Sequence, residues 1–189
     1  MTALYIHDAN IYDAGLRFKQ GPAARHLKIP KNQSIGQMTK AVQAVCGPRN
    51  HYTVVVFNAH GNKDTINIGA GITHTHTCFW KAVGDALFTK NRDIEIHSCL
   101  FAATRRARNM TDARAIEKYD TANNAYSSHA LKVIAKSAGC IVKAGTGFQL
   151  GQSASGEGDT DGRFETSWVK VNPVGTSALL SADAHPREH

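Results

Sequence analysis

Two apolar strand segments separated by a helical stripe constrain the fold of this chain more than any other feature of its sequence. Residues 52–57 are β-branched and aromatic and carry no charge, and residues 93–99 contain a second apolar segment. An uncharged strand of this kind is typical of a parallel sheet covered on both faces. Helical spacing between the two segments is shown by Trp80, Val83, Gly84 and Leu87. Strand, helix and strand in this order form a crossover unit, so we predict that the two strands are parallel.

Further strands and helices along the chain indicate the fold class. The predicted elements are a strand over residues 3–6, a helix over 34–45, a helix over 131–138 that ends at Gly139, a strand over 140–144 and an exposed hairpin strand over 164–171. Ser34 and Gln37 have the form of a capping box at the start of the first helix. Together these elements predict an α/β fold: a three-layer α/β/α sandwich with a mostly parallel central sheet and a C-terminal β-hairpin.

Three other segments carry a weaker pattern. Residues 102–122 are polar, charged and weakly periodic, so we predict a loop there, and the polar stretch before Ser34 contains no predicted element. A hairpin is predicted around Ile66 and Ile68. The residues after Pro173 are expected to be loosely held. We therefore predict a single domain over residues 1–172 and a loosely held tail over residues 173–189.

The composition is that of an ordinary globular protein. Of 189 residues, 42% are hydrophobic and 20% charged, which excludes a disordered chain. The net charge of +7 is unevenly divided: residues 1–150 carry 19 basic and 9 acidic side chains, whereas residues 151–189 carry 3 and 6. The basic residues are spread along the chain rather than gathered in one block. Net charge alone indicates solubility and non-specific attraction and does not indicate a specific partner, so we predict no specific nucleic-acid partner.

Cysteine usage and the N-terminal sequence indicate the cellular environment. The four cysteines have no repeated spacing and no Cys-x-x-Cys pair, which argues against a disulfide framework and a zinc ribbon. The first residues lack the pattern of a signal peptide, and no apolar run approaches the roughly 20 residues that span a bilayer. We expect reduced thiols, no membrane partner and a location that is cytoplasmic, or exported without a recognisable signal peptide.

Two reactive side chains follow the two apolar strands. His60 comes after the first and Cys99 ends the second, and ligands of open α/β sheets bind beyond the carboxyl ends of the strands. A thiol becomes nucleophilic as the thiolate, and a histidine is its usual base. The backbone N–H groups of Gly61 and Cys99 would form an oxyanion hole. Glu95 and His97 share strand parity with Cys99 and are candidates to modulate its pKa.

These motifs resemble the caspase-like cysteine peptidases. The resemblance rests on an apolar strand ending in His60-Gly61 and a second strand ending in Ser98-Cys99, in that order and with a helix between them. It extends over residues 3–172 and is closest to bacterial caspase-fold enzymes and toxin-type self-processing peptidase domains. The resemblance implies a cysteine endopeptidase with His60 and Cys99 as the catalytic residues, a protein or peptide as substrate and no cofactor.

The resemblance also implies candidate binding residues. The residue that selects the P1 side chain in this superfamily often follows the first strand, and Asp8 and Asp13 stand there, which would favour Lys or Arg at P1 through a charge pair. An anionic activator, such as the inositol hexakisphosphate of toxin-type members, would bind at Arg105, Arg106 and Arg108. Leu100-Phe101 follows Cys99 where caspases have a basic residue and Gly, so the Asp specificity of caspases is not implied.

The sequence also fits two alternative functions of a different class. Residues 73–78 contain a His-x-His-x-Cys run, and on a strand His74, His76 and Cys78 would share one face and suit zinc, with His60 and His97 as further ligands. This interpretation predicts a zinc hydrolase or a structural zinc site. The other reading is a catalytically inactive caspase-fold module that binds a partner through its basic surface.

Overall fold

A seven-stranded sheet forms the centre of the fold. The computed structural model describes residues 3–9, 24–46, 52–87, 93–147 and 167–180. The strands of these segments are β1 (Ala3–Asp8), β2 (Ala24–Ile29), β3 (Val54–Asn58), β4 (Gly61–Asn62), β5 (Thr65–Ile66), β6 (Ile72–Thr73), β7 (Asp93–His97), β8 (Ile141–Gly145), β9 (Trp168–Val171) and β10 (Ser177–Leu180). Their helices are α1 (Ile35–Cys46), α2 (Thr77–Asp85), α3 (Met110–Asn123) and α4 (His129–Ala138).

The strand order of the large sheet is β2-β1-β3-β7-β8-β9-β10. The first five strands are parallel, whereas β9 and β10 each run antiparallel to the strand before them. The two apolar segments, β3 and β7, are parallel as predicted and are direct neighbours, with Asn58 opposite His97. A smaller sheet of β4, β5 and β6 confirms the hairpin predicted around Ile66.

One face of the large sheet is apolar and carries the main core. Leu4, Phe57, Ile96 and Val142 belong to this face, and they are buried together with residues of α1, α2 and α4. Helix α2 packs against both α1 and α4. Burial of a continuous apolar face against helices is the main driving force for this arrangement. The fold is therefore α/β, a mostly parallel sheet in a three-layer α/β/α sandwich with a C-terminal hairpin, as predicted.

The opposite face of the sheet is buried but polar along several strands. Tyr5 and His7 of β1 stack with His26 of β2. Asn58 Nδ2 donates to His7 Nδ1 (3.2 Å), so His7 carries its proton on Nε2, which donates to His26 Nδ1 (2.9 Å). Glu95 lies on the same face, and its charge adds to burial in raising the pKa of the Tyr5 hydroxyl to about 12. Hydrogen bonding within the face offsets the cost of burying these polar groups.

The helix ends follow the local sequence signals. At the start of α1 the Ser34 N–H donates to Gln37 Oε1 (2.8 Å) and the Gln37 N–H donates to Ser34 Oγ (3.3 Å), which confirms the capping box. After α4, Gly139 adopts a left-handed conformation (φ 64°), and its N–H donates to the Ala135 carbonyl oxygen (2.9 Å). Glycine adopts this conformation without the strain that a Cβ would cause.

Four local predictions were wrong. The polar segment 102–122 contains the greater part of α3, and strand β2 lies in a stretch with no predicted element. The tail expected to be loosely held over residues 173–189 contributes β10, which pairs with β9 over Ser177–Leu180, and its residues 181–189 lie outside the described residues. The strand expected to be exposed lies inside the sheet, and most of β9 is buried.

The physical reason why the sequence did not predict these elements differs from one element to the next. Helix α3 buries few of its side chains, and both of its ends are capped: Asn109 Oδ1 accepts from the Asp112 N–H (2.9 Å), and Asn124 closes the other end in a left-handed conformation. Strand β2 is an outer strand whose side chains are mostly exposed, so its sequence is polar and lacks the apolar pattern by which a strand is predicted.

Within the described ranges, none of the helices combines the length and apolar character that crossing a membrane requires.

Candidate active site

The register of β3 and β7 fixes where His60 and Cys99 lie. The Ala59 N–H donates to the His97 carbonyl oxygen (3.3 Å), so the two strands stay side by side to their carboxyl ends. His60 follows immediately and is exposed, and Cys99 lies two residues beyond β7 and is partly exposed. The two residues predicted to react therefore leave neighbouring strands at the same edge of the sheet.

A cavity of about 330 Å³ opens at this edge. Its lining includes Asp8 after β1, Lys31 after β2, and His60, together with Asn67, Gly69, Ala70 and Gly71. The chain order reverses here, because β1 pairs with β2 on one side and β3 on the other, and ligands of open α/β sheets bind at such a switch point. Asp8 and His60 thus share one cavity, whereas Cys99 is not part of its lining and Asp13 lies outside the described residues.

Cys99 occupies the corner of a tight turn. The Phe101 N–H donates to the Ser98 carbonyl oxygen (3.4 Å), and Leu100 has a φ of 57°. A positive φ in the third position is the mark of a type II turn, where glycine is usual. The conformation costs leucine about 1–2 kcal/mol. It is held by burial of the Leu100 side chain and by the Leu100 N–H, which donates to the Gly147 carbonyl oxygen (2.8 Å).

Gly61 lies against the residue that precedes Cys99. A Cβ at this position would overlap Ser98 Oγ and would stand 2.6 Å from the Thr65 carbonyl oxygen. Only glycine therefore allows the segments that carry His60 and Cys99 to approach this closely. Gly61 is also opposite Ile66 in the ladder of β4 and β5. The oxyanion role of the Gly61 and Cys99 N–H groups stays a prediction.

Gly61→Ala is expected to destabilise the fold by about 2–3 kcal/mol, because the new methyl group must displace Ser98 or the β5 backbone. The free energy of unfolding in urea measures the loss. Ser98→Ala alone should change little, since Ser98 Oγ is buried and has no hydrogen-bond partner in the described part of the chain. The double variant should recover part of the stability. Strict additivity of the two changes would contradict the direct contact.

The arginines predicted to bind an anion are exposed, and two of them contact other side chains. The Arg106 guanidinium donates to Thr65 Oγ1 (3.1 Å), and the Arg105 guanidinium lies 5.6 Å from the centre of the Tyr119 ring. The Arg108 N–H donates to an Asp112 carboxylate oxygen (3.3 Å). These contacts place the cluster in the loop after Cys99, and an anion-binding role stays a prediction.

The predicted zinc ligands His74, His76 and Cys78 do not share a strand. Strand β6 ends at Thr73 and α2 begins at Thr77, so the face-sharing argument for this run is wrong. His76 Nδ1 accepts from the Thr73 N–H (3.0 Å), and the His74 ring packs edge-on against His129 at 5.3 Å. Cys78 is exposed on α2. Across the residues that the structure describes, no group of three or more His, Cys, Asp or Glu side chains is placed to hold a metal ion.

A largely buried cluster of charged side chains, which was not predicted from the sequence, runs along β7 and β8 from Asp93 at the amino end of β7 to His97 at its carboxyl end. Lys143 Nζ is 2.5 Å from Asp93 Oδ2 and 3.4 Å from Glu95 Oε1, and Glu95 Oε2 is 3.2 Å from His97 Nε2. The Lys143 ammonium also lies 5.1 Å from the centre of the Trp168 ring. Glu95 and His97 share one face of β7, as predicted. Charged residues within two otherwise apolar strands were the signal that could have indicated the cluster.

Comparison with known proteins adds no relative: the chain matches no protein-family model and no curated protein sequence. The fold and the cavity define an α/β protein with a candidate site at the carboxyl edge of its sheet.

Proposed function

We propose that this protein is a cysteine endopeptidase of the caspase-like type, with Cys99 as nucleophile and His60 as general acid and base. The observation that carries the proposal is the pairing of β3 with β7, which brings His60 and Cys99 out at the same edge of the sheet from neighbouring strands. The tight turn at Cys99 and the close contact of Gly61 with Ser98 support it, because both serve to present these residues together.

The reaction follows from the chemistry of the two side chains. The Cys99 thiolate attacks the scissile carbonyl carbon, and the S–C bond forms as the carbonyl electrons move to oxygen. The N–H groups of Gly61 and Cys99 hold that oxyanion. His60 gives a proton to the leaving amine as the C–N bond breaks. His60 then removes a proton from water, and the resulting hydroxide attacks the thioester carbonyl carbon. The C–S bond breaks, the acid product leaves, and the Cys99 thiolate and the protonated His60 that began the cycle are restored.

Substrate preference is assigned to the cavity that His60 shares with Asp8. Asp8 is buried at the end of β1, and a carboxylate in such a position favours a Lys or Arg side chain at P1. The four cysteines carry no disulfide bond, which favours a reducing compartment such as the cytoplasm.

Cys99→Ala and His60→Ala are each expected to lower kcat/KM for the best peptide of a P1-varied library by about 10⁴-fold or more. Cys78→Ala is the matched control, because Cys78 is an exposed cysteine on α2 and should leave the activity unchanged. The assay is run with and without inositol hexakisphosphate. Cleavage after Lys or Arg by the wild type supports the role of Asp8. Equal cleavage by wild type, Cys99→Ala and His60→Ala would overturn the proposal.

A further inference from the structure

The segments that follow His60 and Cys99 are hydrogen-bonded to each other. We call residues 61–66 the histidine loop and residues 100–108 the cysteine loop. Lys63 Nζ of the histidine loop donates to the Thr104 carbonyl oxygen (2.8 Å), and the Asp64 N–H donates to the Phe101 carbonyl oxygen (3.1 Å). Arg106 adds the bond to Thr65 Oγ1 described above. The contacts involve both backbone and side chains, and they join residues 62–65 of the histidine loop to residues 101–107 of the cysteine loop.

Asn62 is at the centre of this junction. Its Oδ1 accepts from the Ala107 N–H (3.0 Å), and its Nδ2 donates to the Ala107 carbonyl oxygen (2.6 Å). The same Oδ1 accepts from the Lys63 N–H (2.8 Å), which fixes the side chain to its own loop. A primary amide carries a donor and an acceptor side by side, so it pairs with both backbone groups of one residue as a neighbouring strand would. Aspartate keeps only the acceptors.

The cysteine loop is held independently of Asn62. Asp120, which is buried in α3, accepts from the Thr104 N–H (2.9 Å) and from Thr104 Oγ1 (2.7 Å). The Ala102 N–H donates to the Gly145 carbonyl oxygen (3.0 Å) at the end of β8. The cysteine loop is thus anchored to both the sheet and α3, and it provides a fixed surface to which Asn62 attaches the histidine loop.

The geometry points to Asn62 as a positioning residue that holds the His60 segment in register with the Cys99 turn. This inference rests on the proposed function, because it assigns Asn62 a task in setting the distance between the two catalytic side chains. Asn62 does not take part in the chemistry. Its effect on catalysis comes from orientation, and misplacement by about 1 Å is enough to lower a rate by up to ~100-fold.

The test compares Asn62→Ala and Asn62→Asp with Asn172→Ala. Asn172 is the matched control, since it is equally half-buried and its Oδ1 also accepts a backbone N–H, that of Thr176 (2.9 Å), but in the turn between β9 and β10. Peptide hydrolysis gives kcat and KM separately. Alkylation by iodoacetamide, followed by mass spectrometry over a range of pH, gives the labelling rate of Cys99 relative to the exposed Cys78 in the same molecule.

Both Asn62 variants are expected to lose about 10- to 100-fold in kcat with KM nearly unchanged, and their Cys99 to Cys78 labelling profile should shift along the pH axis. Asn172→Ala should keep the wild-type kcat and profile. A kcat and a labelling profile that match those of Asn172→Ala would overturn the inference. If wild type shows no thiol-dependent cleavage, the proposed function fails separately, and the labelling profile alone decides whether Asn62 positions the Cys99 turn.

Discussion

Gly84→Ala is expected to lower the free energy of unfolding by about 3 kcal/mol or more, because α2 and α4 cross in contact at this glycine. A Cβ at position 84 would overlap the Ala138 carbonyl oxygen and would lie 2.7 Å from its carbonyl carbon and 2.8 Å from its Cα. These are backbone atoms of the last turn of α4, so no rotamer change relieves the clash. The helices would have to separate, and both are packed on the main apolar face of the sheet.

Gly36→Ala is the matched control for this prediction. Gly36 lies in the first turn of α1, and nothing stands within 4 Å of the Cβ that alanine would add. Alanine is the better helix former, so this variant should be unchanged or more stable by up to about 1 kcal/mol. Urea unfolding followed by circular dichroism gives both values. Similar losses in the two variants would contradict the α2–α4 contact as the cause of the effect of Gly84→Ala.

Lys143→Met is expected to destabilise the protein by about 3–5 kcal/mol, because it removes the cation from a largely buried charge cluster and leaves the carboxylates of Asp93 and Glu95 close together on one face of β7. Methionine has a similar length, so packing against Trp168 is largely kept and the loss reports on charge. Lys143 lies in β8, between β7 and β9, and its side chain is only 8% exposed. Thermal and urea unfolding measure the loss.

Lys170→Met provides the control for Lys143→Met. Lys170 lies directly opposite Lys143 on β9 but is half-exposed, and we expect a change of no more than about 0.5 kcal/mol. The triple variant Lys143→Met, Asp93→Asn, Glu95→Gln should be more stable than Lys143→Met alone, since neutral amides have a smaller burial cost than unpaired carboxylates. A triple variant that is no more stable than Lys143→Met would contradict an electrostatic origin.

The sequence predicts best those elements whose burial follows a simple period. Strand β3 is apolar along most of its length because both of its faces are covered, β7 places Ile94 and Ile96 on the apolar face of the sheet, and α4 carries an apolar stripe that ends at Gly139. Helix α3 shows no such stripe, since only Ala113 and Asp120 of its residues are buried, and its ends are marked by the caps at Asn109 and Asn124. Single polar residues at helix ends are common in loops as well, so they do not identify a helix by themselves.

The candidate site is predictable only in part for a similar reason. His60 and Cys99 follow recognisable strands, so their position at the edge of the sheet could be inferred from order alone. The partners of Asn62 are the backbone groups of Ala107, which any residue type provides. The two residues are also 45 positions apart. Contacts of this kind leave no trace in the pattern of residue types.

The left-handed turn at Leu100 also depends on residues that are synthesised later. Its N–H needs the carbonyl oxygen of Gly147, and the Ala102 N–H needs that of Gly145, so both acceptors emerge from the ribosome more than 40 residues after the turn itself. A nascent chain that has just exposed Cys99 lacks the acceptors that hold its thiol at the corner of the turn. The geometry proposed for catalysis is therefore complete only after β8 and Gly147 have been synthesised.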